Sequence, residues 1–353
     1  MKILYISRQF NRSGYYIFEN LIQTRKKDIL ALVVPPYWSL LDFPIINRLT
    51  RLSYFLETKW YKTKPCRFFE SMVRLARQNK IPVYHLQTVK DLYFFNLLNN
   101  LNPDIIIIGG GWPELIPEKV INYPRLGIIN AHPSLLPNFR GTNVHRWQIM
   151  NGVKKSGTTI HFIDSTFDTG PIIAQKSVDI TETDIPQNLS EKTARTASQL
   201  IKEVLAQFDF SHTKPPAKEQ QERKNKTLYY PKWDWSNKNI FHIKWEQNAI
   251  DIYNLIRASN QISYKYNNGP YFKTKKGKFF IRKAVVCAEK KGLPGQIIAQ
   301  ENNHVIVGCG EKNQSLSIIQ IQKYNNRAFN WYKGEPGQHL LSRYGLKIGD
   351  YLL

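Results

Sequence analysis

The sequence predicts an α/β fold: a Rossmann-like open, mostly parallel sheet, followed by a C-terminal small β-barrel domain of OB-like type. Three observations predict it. Over the first 125 or so residues, short β-branched runs alternate with helical periodicity, the pattern of parallel strands joined by right-handed crossovers. A charge-rich tract, Lys214–Lys226, then interrupts the chain and holds no apolar residue larger than Ala217 outside its prolines. Beyond it, short strands recur between Gly-containing turns, as in small barrels.

The elements follow in order. Lys2–Ser7 reads as a short apolar strand and Phe18–Thr24 as a helix. Ile29–Val34 is a second strand, stopped by Pro35-Pro36, since proline cannot donate to a ladder. Glu70–Gln78 is helical, Ile81–Tyr84 a third strand and Leu92–Leu101 a helix with a Leu/Phe face. Asp104–Ile108, with four consecutive isoleucines, has the composition of a strand covered on both faces. In the last third, Asn248–Ala258 is a helix, and Tyr271–Thr274, Lys278–Ile281, Gly295–Ala299, His304–Val307 and Leu316–Ile321 are strands. The expected domains are therefore 1–208 and 233–353, with a charged linker at 209–232. A basic, aromatic insertion at about 44–80 is too long for an ordinary connection.

Length and composition bound the function. The 353 residues carry 50 Lys plus Arg against 27 Asp plus Glu, a net charge of +23. With 42% hydrophobic and 13% aromatic residues the chain has ample material for packed cores, which excludes a disordered or collagen-like protein. Cys66, Cys287 and Cys309 form no Cys-x-x-Cys pair, so neither a disulfide scaffold nor a metal site is expected, and the usage suits a reducing compartment. A short apolar start and the lack of any stretch of about 20 apolar residues point to a cytoplasmic protein without a membrane partner. The charge is uneven. Residues 1–210 hold 26 basic and 17 acidic residues, a net +9, of which 47–80 supply +7; residues 211–353 hold 24 and 10, a net +14. Clustered Lys and Arg outside the core of the first domain suit a phosphate-bearing partner.

The chemistry concentrates between Gly109 and Gln175. Asn130 and His132 stand two apart at the end of the apolar segment Leu126–Ile129. In a strand that spacing puts both side chains on one face, at the carboxyl edge where open α/β sheets bind ligands. Pro133 then turns the chain away, and Ser134-Leu135-Leu136-Pro137, Arg140-Gly141 and Asp168-Thr169-Gly170 follow. Asn130 and His132 are therefore candidate site residues: an amide and an imidazole projecting together at that edge belong to a site better than to a core. Ser134 lies in no Gly-x-Ser-x-Gly elbow and is read as a loop-ordering hydroxyl. His161 lies inside the Thr159–Ile163 strand and is read as structural.

The run Asn-x-His-Pro-Ser-Leu-Leu-Pro, the Arg-Gly after it and the later Asp-Thr-Gly, with His132 and Asp168 36 positions apart, resemble the folate-dependent formyltransferase family. Asp234-Trp235-Ser236, Asn254–Ala258 and Gly295-Gln-Ile-Ile resemble the C-terminal barrel of its methionyl-tRNA and sugar-amine branches. The resemblance implies formyl transfer from 10-formyltetrahydrofolate to a primary amine, with no metal. It implies that Asn130 and His132 stabilise the oxyanion while Asp168 orients and charges His132. It also implies a folate pocket built from Gly110, Gly111, Trp112 and Leu115 after the fourth strand, from Ser134, Leu135, Leu136 and Pro137, and from Thr169 and Gly170.

The acceptor is read less directly. Gly111-Trp112, Arg140–Val144 and Thr159–Asp164 look more like enzymes acting on nucleotide-linked amino sugars, so a small phosphate-bearing acceptor is favoured. Methionyl-tRNA is the alternative, supported by the C-terminal domain and its charge, and a homodimer is also compatible. A non-catalytic nucleic-acid-binding protein would have no need of all three polar residues.

Overall fold

The computed structural model describes residues 1–8, 11–35, 72–211, 213–221, 229–235, 237–259, 268–287, 290–310, 314–324 and 334–353. The insertion expected at about 44–80 lies, up to residue 71, outside the described residues, as do 222–228 of the charged tract. Contacts divide the chain into two compact units: Met1–Gly141, Lys155–Asp179 and Ser190–Tyr229 form the first, and Thr142–Lys154, Ile180–Leu189 and Tyr230–Leu353 the second. The two are interleaved in sequence, so no single cut separates them.

The first unit is built on a seven-stranded sheet. Its strands are β1 (Ile3–Ile6), β2 (Ile29–Val34), β3 (Val83–His85), β4 (Ile105–Ile108), β5 (Ile128–His132), β7 (Lys155–Phe162) and β8 (Ile172–Asp179), with the two-residue β6 (Arg140–Gly141) and β9 (Tyr229–Tyr230) outside it. Their spatial order is β3-β2-β1-β4-β5-β7-β8. β1 to β5 run parallel, whereas β7 pairs antiparallel with β5 and with β8. The order reverses at β1, which has β2 on one side and β4 on the other, and such a switch point opens a crevice at the carboxyl ends of the strands.

Alternating side chains of the parallel strands feed two cores. Ile3, Tyr5, Leu32, Val34, Ile105, Ile107, Ile129 and Ala131 belong to one, and Leu4, Ile6, Ala31, Val33, Ile106, Ile108 and Ile128 to the other. The isoleucine run is thus buried on both faces, each side chain being worth about 1.5–3 kcal/mol of burial. Helix α1 (Arg12–Arg25) begins earlier than Phe18 because the Asn11 side chain accepts from the Gly14 N–H and caps it. Helices α2 (Met72–Gln78), α3 (Leu92–Leu101) and the short α4 (Glu118–Ile121) follow; α5 (Val144–Met150) belongs to the second unit, and most of the long α6 (Pro186–Ser211) belongs to the first. Ala197, Ile201, Val204 and Phe208 of α6 pack into the first core.

In the second unit a six-stranded antiparallel sheet has the order β10 (Tyr271–Thr274), β11 (Gly277–Cys287), β14 (Gln314–Lys323), β13 (His304–Cys309) and β12 (Ile297–Glu301), with β15 (Glu335–Pro336) on β14. The C-terminal residues lie between the two edge strands: Leu353 exchanges backbone hydrogen bonds with Lys273 of β10, and the Asp350 carbonyl accepts from Ile297 of β12. Ile252 and Ile256 of the helix Ala249–Ala258 fill the core against Phe272, Phe279, Val305 and Leu316. Among the described residues, no helix is long and apolar enough to cross a membrane.

Candidate active site

β5 is buried along its whole length, because β4 and β7 flank it and both cores press on it. Its register sets Asn130 beside Ile108 of β4 and His161 of β7, and His132 beside Thr159. Asn130 is 9% exposed and His132 4%. Two polar side chains at this depth need partners, and they have them.

His132 Nε2 lies 2.8 Å from the Phe139 carbonyl oxygen, and Nδ1 lies 3.3 Å from Asp168 Oδ1. A carbonyl only accepts, so Nε2 carries hydrogen; with a carboxylate at Nδ1, the site favours the doubly protonated ring. Burial by itself would lower the His132 pKa, but the charge of Asp168 and the hydrogen bonds to Asp168 and Phe139 outweigh it, so the pKa is raised. Burial likewise penalises the Asp168 carboxylate, yet His132, His161 and the Gly141 N–H together hold its pKa well below the usual carboxylate range. Asp168 Oδ2 accepts from the Gly141 N–H at 2.9 Å. Asp168 occupies the left-handed region at φ 57°, which non-glycine residues adopt rarely. Gly170, two residues on, is compulsory: a Cβ there would come within 2.0 Å of the Phe162 carbonyl oxygen.

His161, read from sequence as structural, belongs to the same cluster. Its Nδ1 lies 2.8 Å from the Phe162 carbonyl and must carry the hydrogen, leaving Nε2 to accept from Asn130 Nδ2 at 3.1 Å. Burial lowers its pKa to about 4, so it stays neutral. Asn130 is thereby held with one amide hydrogen on His161, and the other has no partner among the described residues. Neither composition nor local motif marks this role; it follows from the antiparallel register of β5 and β7.

The expected folate-pocket residues divide into three groups. Gly110 and Gly111, at φ 105° and 76°, lead away from β4 at the switch point beside β1, where the Gly109 N–H donates to the Ile6 carbonyl. Trp112 is half-buried against the second core, its Nε1 buried without a hydrogen-bond partner, and Leu115 is 37% exposed. Ser134 and Leu136 are buried and turned inward: Ser134 Oγ donates to the Asn138 carbonyl, the Leu136 N–H donates to Thr159 Oγ1, and Gln175 Nε2 donates to the Leu136 carbonyl. Leu135 packs over Gly157, and Pro137 continues the same turn. Thr169 Oγ1 donates to the Asp164 carboxylate. The turn after β5 therefore offers its shape, with the Ser134 hydroxyl already engaged.

A further residue enters from the tract expected as a linker. Lys218 exchanges two backbone hydrogen bonds with Ile172 of β8, and the Gln220 side chain reaches Arg140, Asp168 and Gly170. Among the described residues, no group of three His, Cys, Asp or Glu side chains could hold a metal ion.

An amide donor, an imidazole and a carboxylate converging at a sheet edge make an arrangement of the general acid–base class, able to donate to an oxygen and to pass protons. Comparison with known proteins narrows the class. The formyl transferase family matches residues 61–205 and its C-terminal domain matches 236–334, and the chain belongs to this family. A methionyl-tRNA formyltransferase of Pelotomaculum thermopropionicum is 31% identical over 259 residues, 70% of this chain and 75% of that protein. The bifunctional polymyxin resistance protein ArnA of Wigglesworthia glossinidia brevipalpis is 29% identical over 268 residues, 72% of this chain and 36% of that protein. Among solved structures, an N-formyltransferase from Helicobacter canadensis in complex with folinic acid and dTDP-3-aminofucose superposes with a TM-score of 0.61 at 18% identity, covering 92% of this chain and 100% of that one. At that identity the likeness establishes the fold. The protein is a formyltransferase.

Proposed function

We propose that this enzyme transfers the formyl group of 10-formyltetrahydrofolate to the amino group of methionyl-tRNA, with Asn130, His132 and Asp168 carrying the chemistry. The observation that supports the chemistry is the pairing of both His132 ring nitrogens with acceptors, which keeps a proton ready in a buried site. The acceptor amine attacks the formyl carbon and an oxyanion develops. The free amide hydrogen of Asn130 and the Nε2 hydrogen of His132, held meanwhile by the Phe139 carbonyl, are the donors to that oxygen. A positioned donor of this kind is worth about 3–4 kcal/mol in acyl transfer. The new C–N bond forms as the amine loses a proton toward Asp168. The bond from the formyl carbon to N10 of the folate breaks as N10 gains a proton from His132, and tetrahydrofolate leaves. The crevice at the β1–β4 switch point, with Gly110, Gly111 and Trp112, is the place for the pterin.

The nucleotide-linked amino sugar that the sequence favours as acceptor gives way here to methionyl-tRNA. The relative from P. thermopropionicum bears that name and matches three quarters of its length, and residues 211–353 carry a net +14 suited to phosphates. The sugar reading is kept as the second because Trp112, Arg140–Val144 and Thr159–Asp164 resemble that branch. Purified protein supplied with 10-formyltetrahydrofolate and either methionyl-tRNA or dTDP-linked amino sugars separates the two. Turnover of methionyl-tRNA that falls about 10³-fold between 50 and 200 mM salt supports the tRNA reading. Turnover of an amino sugar alone overturns it.

A further inference from the structure

We propose that Gln220 is a positioning residue of the active site: its side-chain amide, carried on the segment after α6, fixes the backbone at Asp168 and so sets the carboxylate against His132. The proposal rests on the catalytic reading of Asp168. Gln220 Nε2 donates to the Asp168 carbonyl at 3.0 Å and to the Gly170 carbonyl at 2.8 Å. Its Oε1 accepts from Arg140 Nε at 3.2 Å and Nη2 at 2.9 Å. The orientation of the amide is unambiguous, because a guanidinium cannot accept and a carbonyl cannot donate. Arg140 is itself buried, at 7% exposure. Next to it, the Gly141 N–H holds Asp168 Oδ2 at 2.9 Å. Asp168 is thus gripped twice, by its carboxylate from Gly141 and by its backbone from Gln220, and the Arg140–Gly141 step joins the two grips.

Such a double grip answers a specific need. Asp168 sits in the left-handed region, a conformation that persists only when its surroundings enforce it. Its contact with His132 is long for a hydrogen bond, at 3.3 Å, so a small shift of the loop breaks it. Lys218 docks the segment on Ile172 by two backbone hydrogen bonds of 2.8 Å, which do not involve the Gln220 side chain. The segment therefore stays in place when that side chain is changed, and the substitution reports on the grip.

Gln220→Met keeps the length of the side chain and removes all four hydrogen bonds. With 10-formyltetrahydrofolate and methionyl-tRNA, kcat falls about 10- to 100-fold, as for a displaced catalytic group, while KM for the folate changes less than about twofold. In the same full-length protein, NMR titration of ¹⁵N-histidine reads the His132 pKa, assigned by the resonance lost in His132→Asn. The groups facing His132 are Asp168 from its loop, the Phe139 carbonyl and the neutral His161 of β7. The pKa falls in Gln220→Met by about half a unit or more as Asp168 drifts, a shift that needs no acceptor to be seen. Gln220→Glu is the second variant: it keeps the oxygen for Arg140, loses both donors to the carbonyls and loses kcat. Glu219→Ala, one residue away, leaves turnover and titration alone. An unmoved His132 titration in folded Gln220→Met, or wild-type kcat in folded Gln220→Glu, overturns the proposal. A full-activity His132→Asn would instead overturn the catalytic reading on which it rests.

Discussion

Replacing Asp168 by Asn should move the basic limb of the pH–rate profile, and the structure sets the size of the effect. The substitution keeps the shape, tolerates the left-handed backbone and leaves an oxygen to accept from Gly141. It removes a negative charge 3.3 Å from His132 Nδ1. At an effective dielectric constant of about 20, attraction over that distance is about 5 kcal/mol, part of which is offset by desolvation of the pair. His161, equally buried, shows the strength of burial: even with Asp168 Oδ1 at 3.8 Å, burial takes its pKa to about 4. The His132 pKa should therefore fall from above its ordinary value to below it, because burial then acts without the carboxylate that opposes it. The sign follows: a raised pKa keeps His132 charged at low pH, and the charge is lost as pH rises through that pKa. Wild-type kcat/KM therefore declines on a basic limb displaced to the alkaline side of an ordinary histidine, while the acid limb belongs to the acceptor amine, which must be unprotonated to attack. In Asp168→Asn the basic limb moves to the acid side, and kcat/KM at pH 7 falls about 10²- to 10³-fold. The assay is kcat/KM from pH 5 to 9 for both proteins. An unmoved basic limb, or activity within about tenfold of wild type at pH 7, would mean that Asp168 does not hold the His132 proton.

Asn130→Ala should lower kcat about 10²- to 10³-fold by removing an oxyanion donor, with the fold intact by circular dichroism. His161→Leu removes the acceptor that orients Asn130 and should lower kcat about tenfold with an unchanged melting temperature, read by steady-state kinetics and thermal denaturation. Gly170→Ala forces a Cβ against the Phe162 carbonyl and should destabilise the protein by about 1–3 kcal/mol in urea denaturation while disordering the Asp168 loop. Trp112→Ala should raise KM for 10-formyltetrahydrofolate and leave kcat nearly alone, the signature of lost uniform binding.

What the sequence made legible was local. The isoleucine run announced a strand buried on both faces, and the two-residue spacing of Asn130 and His132 placed both on one face of β5. The approach of Asp168 came from the family resemblance, because a loop 36 residues away has no periodicity to read. The contact of His161 with Asn130 has no local signal because it depends on strand register, which pairs the two across an antiparallel ladder. Gln220 was hidden for a different reason. It stands among Lys, Glu and Gln residues whose composition is that of solvated chain, and its partner Arg140 is 80 positions away. The start of α1 was missed because one side chain, Asn11, decides it. The interleaving of the two units escaped a reading that cuts the chain where composition changes.

A protonated His132, paired with Asp168, should be what drives formyl transfer. Single-turnover transfer of a ¹³C-formyl group from labelled 10-formyltetrahydrofolate to methionyl-tRNA, followed by mass spectrometry, tests it most directly. Wild-type protein should move the label to the methionyl amine stoichiometrically, and folded His132→Asn should do so about 10³-fold more slowly or not at all. Transfer by His132→Asn at a rate within about tenfold of wild type would mean that the reaction proceeds without the His132 proton.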